Sequence, residues 1–335
     1  MSADETFMRL ALAEAKRGIG RTSPNPMVGA VLVRHGKVAA KGFHRQAGGA
    51  HAEVDCLKKI DGPLSADAIL YVTLEPCSTR GRTAPCADYI LRRGLRRVVI
   101  GAVDPNPKHR GRAIRMLERA GVEVKIGVLA EECTRLNEAF NKWIVTGFPF
   151  VIAKCGMSLD GRLTRPSGES RWLTSAASRK HARKIRQTVD AILIGAETLR
   201  RDDPRLTAPH RRSAPPWRVV LSRSGKLPAK ARALRADDRV LIYRKGTLRA
   251  VLADLGTREI ASVLIEGGGE ILSQALDQRL IDKVQIYLAP LLTGGDVIAF
   301  AGDGAVATAD ALRLHRVGYE RIASDVCVVG YRDSE

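Results

Sequence analysis

Apolar and polar positions alternate between two periods along the first part of the chain. Phe7, Leu10, Ala11 and Ala15 share one face of a helix predicted over residues 6–18. Pro24-Asn25-Pro26 breaks that pattern, and residues 28–34 and 37–43 then read as a β-hairpin around His35-Gly36. Helices over residues 51–60, 87–93 and 111–120 alternate with strands over 69–74, 98–103 and 122–126. This alternation predicts a three-layer α/β domain, with helix N-termini meeting strand ends.

Residues 131–146 predict a connecting helix that stops at Gly147-Phe148-Pro149, where Gly and Pro form a hinge. The pattern then restarts with a strand over 150–154, a helix over 175–187 and strands over 191–194, 218–221, 240–243, 262–265 and 283–289. Further β segments fill residues 313–331, and the Pro- and Arg-rich stretch 204–217 reads as an exposed loop. Two domains follow, residues 1–146 and 147–335, which is also the prior for a chain of 335 residues.

Composition narrows the class. A hydrophobic content of 45% is enough for a core in each half. The longest apolar runs, residues 98–103 and 191–194, are too short to span a bilayer, so no membrane partner is expected. Met1-Ser2-Ala3-Asp4-Glu5 lacks the pattern of a secretory signal. Six cysteines in so long a chain do not make a disulfide framework, and Cys56, Cys133, Cys155 and Cys327 are expected to be reduced and mostly buried. Together these features predict a cytoplasmic protein. The net charge of +19 is scattered, and only 4% of residues are aromatic, so stacking platforms for single-stranded nucleic acid are missing. A basic surface that attracts small phosphorylated substrates accounts for the charge without nucleic acid.

The chemistry is concentrated in His51-Ala52-Glu53, Glu75-Pro76-Cys77 and Cys86. One His and two thiolates form a tetrahedral zinc site with one position left for water, the catalytic arrangement. Zinc brings the pKa of water near neutrality, and Glu53 is placed to carry the proton without ligating the metal. This order of residues is the signature of zinc-dependent nucleobase deaminases, except that eight residues rather than two separate the cysteines. In the second half, Glu266-Gly267-Gly268-Gly269-Glu270 follows a β run and opens a helix, so its bare amides can approach a cofactor pyrophosphate. A Gly-x-Gly-x-x-Gly fingerprint is absent, which argues against a Rossmann dehydrogenase.

From end to end the chain resembles the bifunctional riboflavin-biosynthesis deaminase–reductase family. The resemblance rests on the run Pro24 to Val31, on Gly42-Phe43-His44 and Gly49 to Glu53, and on Thr73 to Ser78 continuing through Gly81-Arg82-Thr83 to Pro85-Cys86. Lys154, Gly156, Ser158 to Arg162 and Ser167 to Trp172 carry it into the second half. It implies a cytidine-deaminase-like zinc domain followed by a dihydrofolate-reductase-like α/β domain. It also implies two successive reactions: deamination of 2,5-diamino-6-ribosylamino-4(3H)-pyrimidinone 5′-phosphate, then NADPH-dependent reduction of the ribosyl group to ribityl.

Carried over by position, the resemblance makes His51, Cys77 and Cys86 ligands of one zinc ion and Glu53 the proton shuttle. Asn25, His44, Arg82 and Asn106 become substrate contacts in the first domain, with Arg82 at the phosphate. In the second, Ser170, Arg186, Leu206 and Glu266 become substrate contacts. Lys154, Gly156, Trp172, Thr198, Asp202, Gly267, Gly268 and Gly269 become NADPH contacts, and Arg200, Arg201 and Arg223 are available for its 2′-phosphate. Three positions depart from the family. Thr79 replaces a His, Ala113 replaces a Gly, and Pro209 replaces an Arg, with His210, Arg211 and Arg212 just beyond.

Two other readings compete. One is a deaminase of another nucleobase, on tRNA, with a redundant second half. The other is a basic nucleic-acid-binding protein with a structural zinc, against which stands the lack of a fourth Cys or His at metal spacing near Cys86. Homo-oligomerisation is left open by the sequence.

Overall fold

Ser2 opens the first helix, α1 (Ala3–Ala15): its hydroxyl accepts the Glu5 N–H, and the Glu5 carboxylate accepts the Ser2 N–H in return. That capping box starts the helix earlier than the apolar periodicity alone predicts. The structure is a computed structural model describing residues 2–79, 84–163, 172–209, 214–235 and 238–332. It divides into two units, Met1–Gly147 and Phe148–Glu335.

In the first unit, β1 (Gly29–Arg34) and β2 (Lys37–Phe43) form the expected hairpin, followed by α2 (Ala52–Leu57), β3 (Ile69–Leu74), α3 (Cys86–Arg92), β4 (Arg97–Ala102), α4 (Arg112–Arg119) and β5 (Glu123–Ile126). The sheet order is β2-β1-β3-β4-β5; β1 is antiparallel to both neighbours, and β3, β4 and β5 are parallel. Side chains alternate across it. Leu32, Leu70, Val72, Val98 and Ile100 pack with Cys56, Leu57, Ile90 and Leu117 of α2, α3 and α4 on one face. Val31, Val33, Tyr71 and Val99 pack with Met8, Ala11 and Leu12 of α1 on the other. The result is the three-layer arrangement that the alternation predicts.

The single helix predicted over residues 131–146 is instead two, α5 (Ala130–Leu136) and α6 (Glu138–Thr146), parted at Asn137. Asn137 leaves helical geometry, at φ −115° and ψ 28°, because its side chain is committed elsewhere. Its Oδ1 accepts the Met27 N–H at 2.7 Å, and its Nδ2 donates to the Met27 carbonyl at 2.9 Å.

The second unit contains β6 (Phe150–Ser158), α7 (Ala176–Ile185), β7 (Ala191–Gly195), α8 (Ala196–Asp202), β8 (Trp217–Leu221), β9 (Val240–Tyr243), α9 (Leu248–Thr257), β10 (Ser262–Ile265), α10 (Gly269–Asp277), β11 (Lys283–Ala289), β12 (Leu314–Ile322) and β13 (Asp325–Arg332). Its sheet runs β12-β13-β11-β6-β10-β7-β8-β9. The strands from β11 to β9 are parallel, while β13 and β12 add antiparallel edges. β10 returns between β6 and β7, so its C-terminal end opens into the crevice where ligands bind in sheets of this kind.

Two helices go beyond the sequence expectation. α8 is short and mostly polar, whereas α9 buries Leu248, Val251, Leu252 and Leu255 at helical spacing. The stretch 204–217 is not wholly an exposed loop, since Leu206 is 2% exposed and Trp217 begins β8. All six cysteines are free. Among the described residues, no helix is long and apolar enough to cross a membrane.

Candidate functional site

β3 ends at Leu74 and hands the chain to Glu75-Pro76-Cys77, while Cys86 is the first residue of α3 and His51 is the N-cap of α2. Strand end and helix starts therefore bring three donor atoms together. The ligand atoms of His51, Cys77 and Cys86 all lie within 4.8 Å of one another. His51 Nδ1 is 3.5 Å from Cys77 Sγ and 3.2 Å from Cys86 Sγ, and the Cys86 N–H donates to Cys77 Sγ at 3.3 Å. One imidazole nitrogen and two sulfurs at this spacing fit zinc, and a set of three leaves a coordination position for a reacting group.

The electrostatics suit the metal. Hydrogen bonds from Cys86 and then His51 overcome burial and hold the Cys77 thiol down at about 4. The same contact with Cys77 raises His51, while Cys86, sharing its proton with Cys77 and buried, is pushed well above the ordinary thiol range. Glu53, in the first turn of α2, is 3% exposed. Burial and then the Cys77 charge push it up to about 6.

Beside this centre, His44 and Asn25 are joined. His44 Nδ1 lies 3.0 Å from the Ala50 carbonyl, and Nε2 lies 3.2 Å from Asn25 Nδ2. A carbonyl can only accept, so Nδ1 carries the proton of the neutral ring and Nε2 accepts from the Asn25 amide. Burial lowers the His44 pKa and keeps the ring neutral. Asn25 Oδ1 is thereby left to receive a donor. The His44 and His51 rings meet edge to face with centroids 5.2 Å apart, which puts this pair at the metal ligands. The Asn137 bonds to Met27 fix the same loop from behind.

Residues 104–113 contact the loop that carries Cys77, through Glu75 and Thr79. Asn106 Oδ1 accepts the Lys108 N–H at 3.0 Å, so its Nδ2 is the group that remains for a substrate. Thr79, one of the departures, has its Oγ1 3.4 Å from His109 Nδ1. Ala113, another, is fully buried at the start of α4 and its N–H donates to Glu75 Oε1 at 3.1 Å. Arg82, Ser170 and residues 210–212 lie outside the described residues.

In the second unit Glu266 follows β10 and Arg186 caps α7, and the two form a bidentate pair, Nε to Oε1 at 2.6 Å and Nη2 to Oε2 at 2.8 Å. Lys154 of β6 lies 3.9 Å from Glu266, and Arg186 also donates to the Thr207 carbonyl at 3.1 Å. Burial works against the Glu266 charge, but Lys154 and Arg186 hold its carboxyl below the ordinary range. Leu206, next to Thr207, has a φ of 51°, a conformation L side chains rarely adopt. Lys154, Arg186, Leu206 and Glu266 thus converge.

A second group forms around the glycines. Gly267 and Gly268 have φ of 136° and 71°, and α10 starts at Gly269. A Cβ on Gly267 would lie 3.0 Å from the Thr198 methyl, so Thr198 and the glycine turn line one cradle. Gly156 lies in β6 and Asp202 ends α8. Trp172 is exposed, with the Arg179 guanidinium 5.0 Å from its ring centroid. Arg200 and Arg201 both pair with Glu197, and Arg223 contacts Glu270.

Sequence reasoning missed Glu75 and Asn137 as parts of the site. Glu75 carried a signal, since it is embedded in the zinc motif, whereas Asn137 carried none.

Comparison with known proteins matches each unit. Residues 1–102 match the cytidine and deoxycytidylate deaminase zinc-binding region, and residues 149–328 match the RibD C-terminal domain. The riboflavin biosynthesis protein RibD of Synechocystis is 40% identical over 88% of this chain and 86% of its own. That of Aquifex aeolicus is 35% identical over 97% of both. A solved structure from Thermotoga maritima, a diaminohydroxyphosphoribosylaminopyrimidine deaminase/5-amino-6-(5-phosphoribosylamino)uracil reductase, superposes with a TM-score of 0.90 at 34% identity, covering 99% of each chain.

Proposed function

The chain belongs to the RibD family of riboflavin-biosynthesis proteins, a zinc-binding deaminase joined to a reductase, and from that membership we propose how its residues divide the work. The first unit deaminates 2,5-diamino-6-ribosylamino-4(3H)-pyrimidinone 5′-phosphate. The second uses NADPH to reduce the ribosyl side chain of 5-amino-6-(5-phosphoribosylamino)uracil to ribityl. The observation that carries this reading is the presence of two chemically different centres, a His-Cys-Cys triad beside a buried Glu53 and a glycine cradle beside the Arg186–Glu266 pair.

His51, Cys77 and Cys86 hold the zinc, which when bound supplies the Lewis acidity that readies water for attack at neutral pH. Glu53 takes one proton from the attacking water and gives it to the ring nitrogen. It then takes the second from the hydroxyl now on carbon and gives it to the amine, which leaves as ammonia. A carboxyl at about 6 exchanges protons in both directions near neutrality. Asn25 Oδ1, oriented by His44, accepts from the pyrimidine, and Asn106 Nδ2 donates to the substrate.

Gly267, Gly268 and Gly269 cradle the NADPH pyrophosphate with Thr198 beside them, and the nucleotide supplies the hydride. Trp172, Gly156 and Asp202 border the nicotinamide nucleotide. Arg186, Glu266 and Leu206 orient the ribosyl phosphate end of the substrate against it, and Lys154, an expected NADPH contact, lies beside Glu266. Arg82 and Ser170 belong to this assignment by resemblance alone. The reading places the protein in the cytoplasm with a small phosphorylated pyrimidine as its partner and no nucleic acid, in keeping with a charge of +19 and few aromatics. Supplying the diamino substrate and NADPH together tests it: ammonia release followed by NADPH oxidation is expected. Ammonia without oxidation would leave only a deaminase.

A further inference from the structure

Glu75 stands two residues before Cys77, buried at 3% exposure, and takes no part in the proton chemistry assigned to Glu53. Its own N–H donates to the Ala102 carbonyl at 2.9 Å, which extends the β3–β4 pairing to the metal loop. Its carboxylate is engaged by main-chain donors from a single segment. Oε2 accepts the N–H of Asp104 at 3.2 Å and of Gly111 at 2.9 Å, and Oε1 accepts that of Ala113 at 3.1 Å. These donors run from the exit of β4 to the first turn of α4, where the helix end also favours an anion.

Between the outer donors lie Asn106 and His109. His109 Nδ1 is 3.4 Å from Thr79 Oγ1, two residues beyond Cys77. The segment is therefore tied to the metal loop on both sides of the ligand, by Glu75 before it and by Thr79 after it. Three bonds accepted by the two oxygens of one carboxylate fix the segment's distance from Cys77 in a way that a lone Thr–His contact cannot.

We propose that Glu75 is a positioning residue of the deaminase site: it clamps residues 104–113 against the Cys77 loop and thereby sets where Asn106 meets the substrate. The inference rests on the deaminase reading above.

Glu75→Gln tests it in the full chain. The amide keeps the volume and one acceptor oxygen, but its NH2 faces an N–H donor it cannot accept. A displaced binding wall weakens ground and transition states alike, so KM for deamination rises about tenfold while kcat changes less than about threefold. Zinc content and reduction of already deaminated substrate stay at the wild-type level. Asn106→Ala raises KM by a similar factor. Glu75→Gln adds little on top of it, because groups acting through one segment are not additive.

A fall in kcat at constant KM, loss of zinc, an unmoved KM or full additivity of the two variants each overturns the proposal. Should Glu75→Gln not accumulate folded, Glu75→Asp keeps the charge but withdraws it by a methylene. The same KM rise is expected there, and an unchanged KM in it or in Asn106→Ala is equally fatal. A wild-type chain that does not deaminate would sink the functional reading instead; normal wild-type turnover with an insensitive Glu75 sinks only this inference.

Discussion

Glu53 and the metal ligands make opposite demands on protons within the same pocket. In the proposed mechanism Glu53 gives and takes them, so Glu53→Gln should lower deamination by ~10²–10⁴ while zinc stays bound. Ammonia release and metal content measured on one preparation check this, and near-normal ammonia release would remove Glu53 from the mechanism. The ligands must lose protons. Without metal, Cys77 is shifted towards its thiolate, whereas Cys86 and His51 are both shifted towards their protonated forms. Zinc displaces at least one proton, so its affinity should rise about tenfold or more per pH unit between pH 6 and 8, as chelator competition would show. At this scale the His51, Cys77 and Cys86 grouping was legible in the sequence because zinc needs those side chains at nearly fixed local spacing, and Glu53 lies beside it in the first turn of α2. Asn25 and His44 came from resemblance. Asn137 was invisible, since its partner Met27 is 110 residues away and an Asn in a helical stretch has many other reasons to be there.

Elements carry these residues, and close approach between them is where the site is vulnerable. α2 presses on β2 at Gly42, where a Cβ would overlap the Ala52 carbonyl oxygen and the Cys56 nitrogen. Gly42→Ala should push α2 and His51 outward, costing ~1–3 kcal/mol of stability and weakening zinc binding together. Thermal unfolding with and without a chelator checks both; an unchanged zinc affinity would show that α2 does not set the ligand. In the second unit, the Arg186–Glu266 pair ties the end of α7 to the end of β10. Glu266→Gln removes the carboxylate charge that faces the largely buried Arg186 guanidinium and should cost ~3–5 kcal/mol at pH 7. The folded pKa of Glu266 is depressed, so the native contribution is present above its ordinary value of 4.5 and fades as pH falls below that. The gap between variant and wild type in denaturant titrations should therefore narrow on acidification; a gap independent of pH would contradict the ionic account. The strands and the helix–strand alternation were readable from period alone. The caps at Ser2 and Gly111 and the break at Asn137 moved helix ends, because terminal geometry depends on partners the periodicity does not contain.

At the scale of the molecule, the charge is shared by both halves, which suits two sites that each take a phosphorylated ligand. Zinc ligands and Glu53 all fall in Met1–Gly147, and every proposed nucleotide contact falls in Phe148–Glu335. Each unit has its own sheet and core, so fragments cut at residue 147 should each retain one activity, reduced where exposed surface destabilises them. A fragment of residues 1–147 that folds and binds zinc yet releases no ammonia would show that the first site needs the second unit. The restart of the pattern at residue 150 made the two-domain reading possible, while the order of the second sheet was beyond it: β10 returns between β6 and β7 across more than a hundred residues of chain.

The central claim is that one chain holds two independent catalytic centres, and Glu53→Gln in the intact chain tests it most directly. With the diamino substrate and NADPH, neither ammonia nor NADPH oxidation should appear; with already deaminated substrate, NADPH oxidation should run at the wild-type rate. Collapse of that second reaction in a folded, zinc-loaded variant would contradict the account.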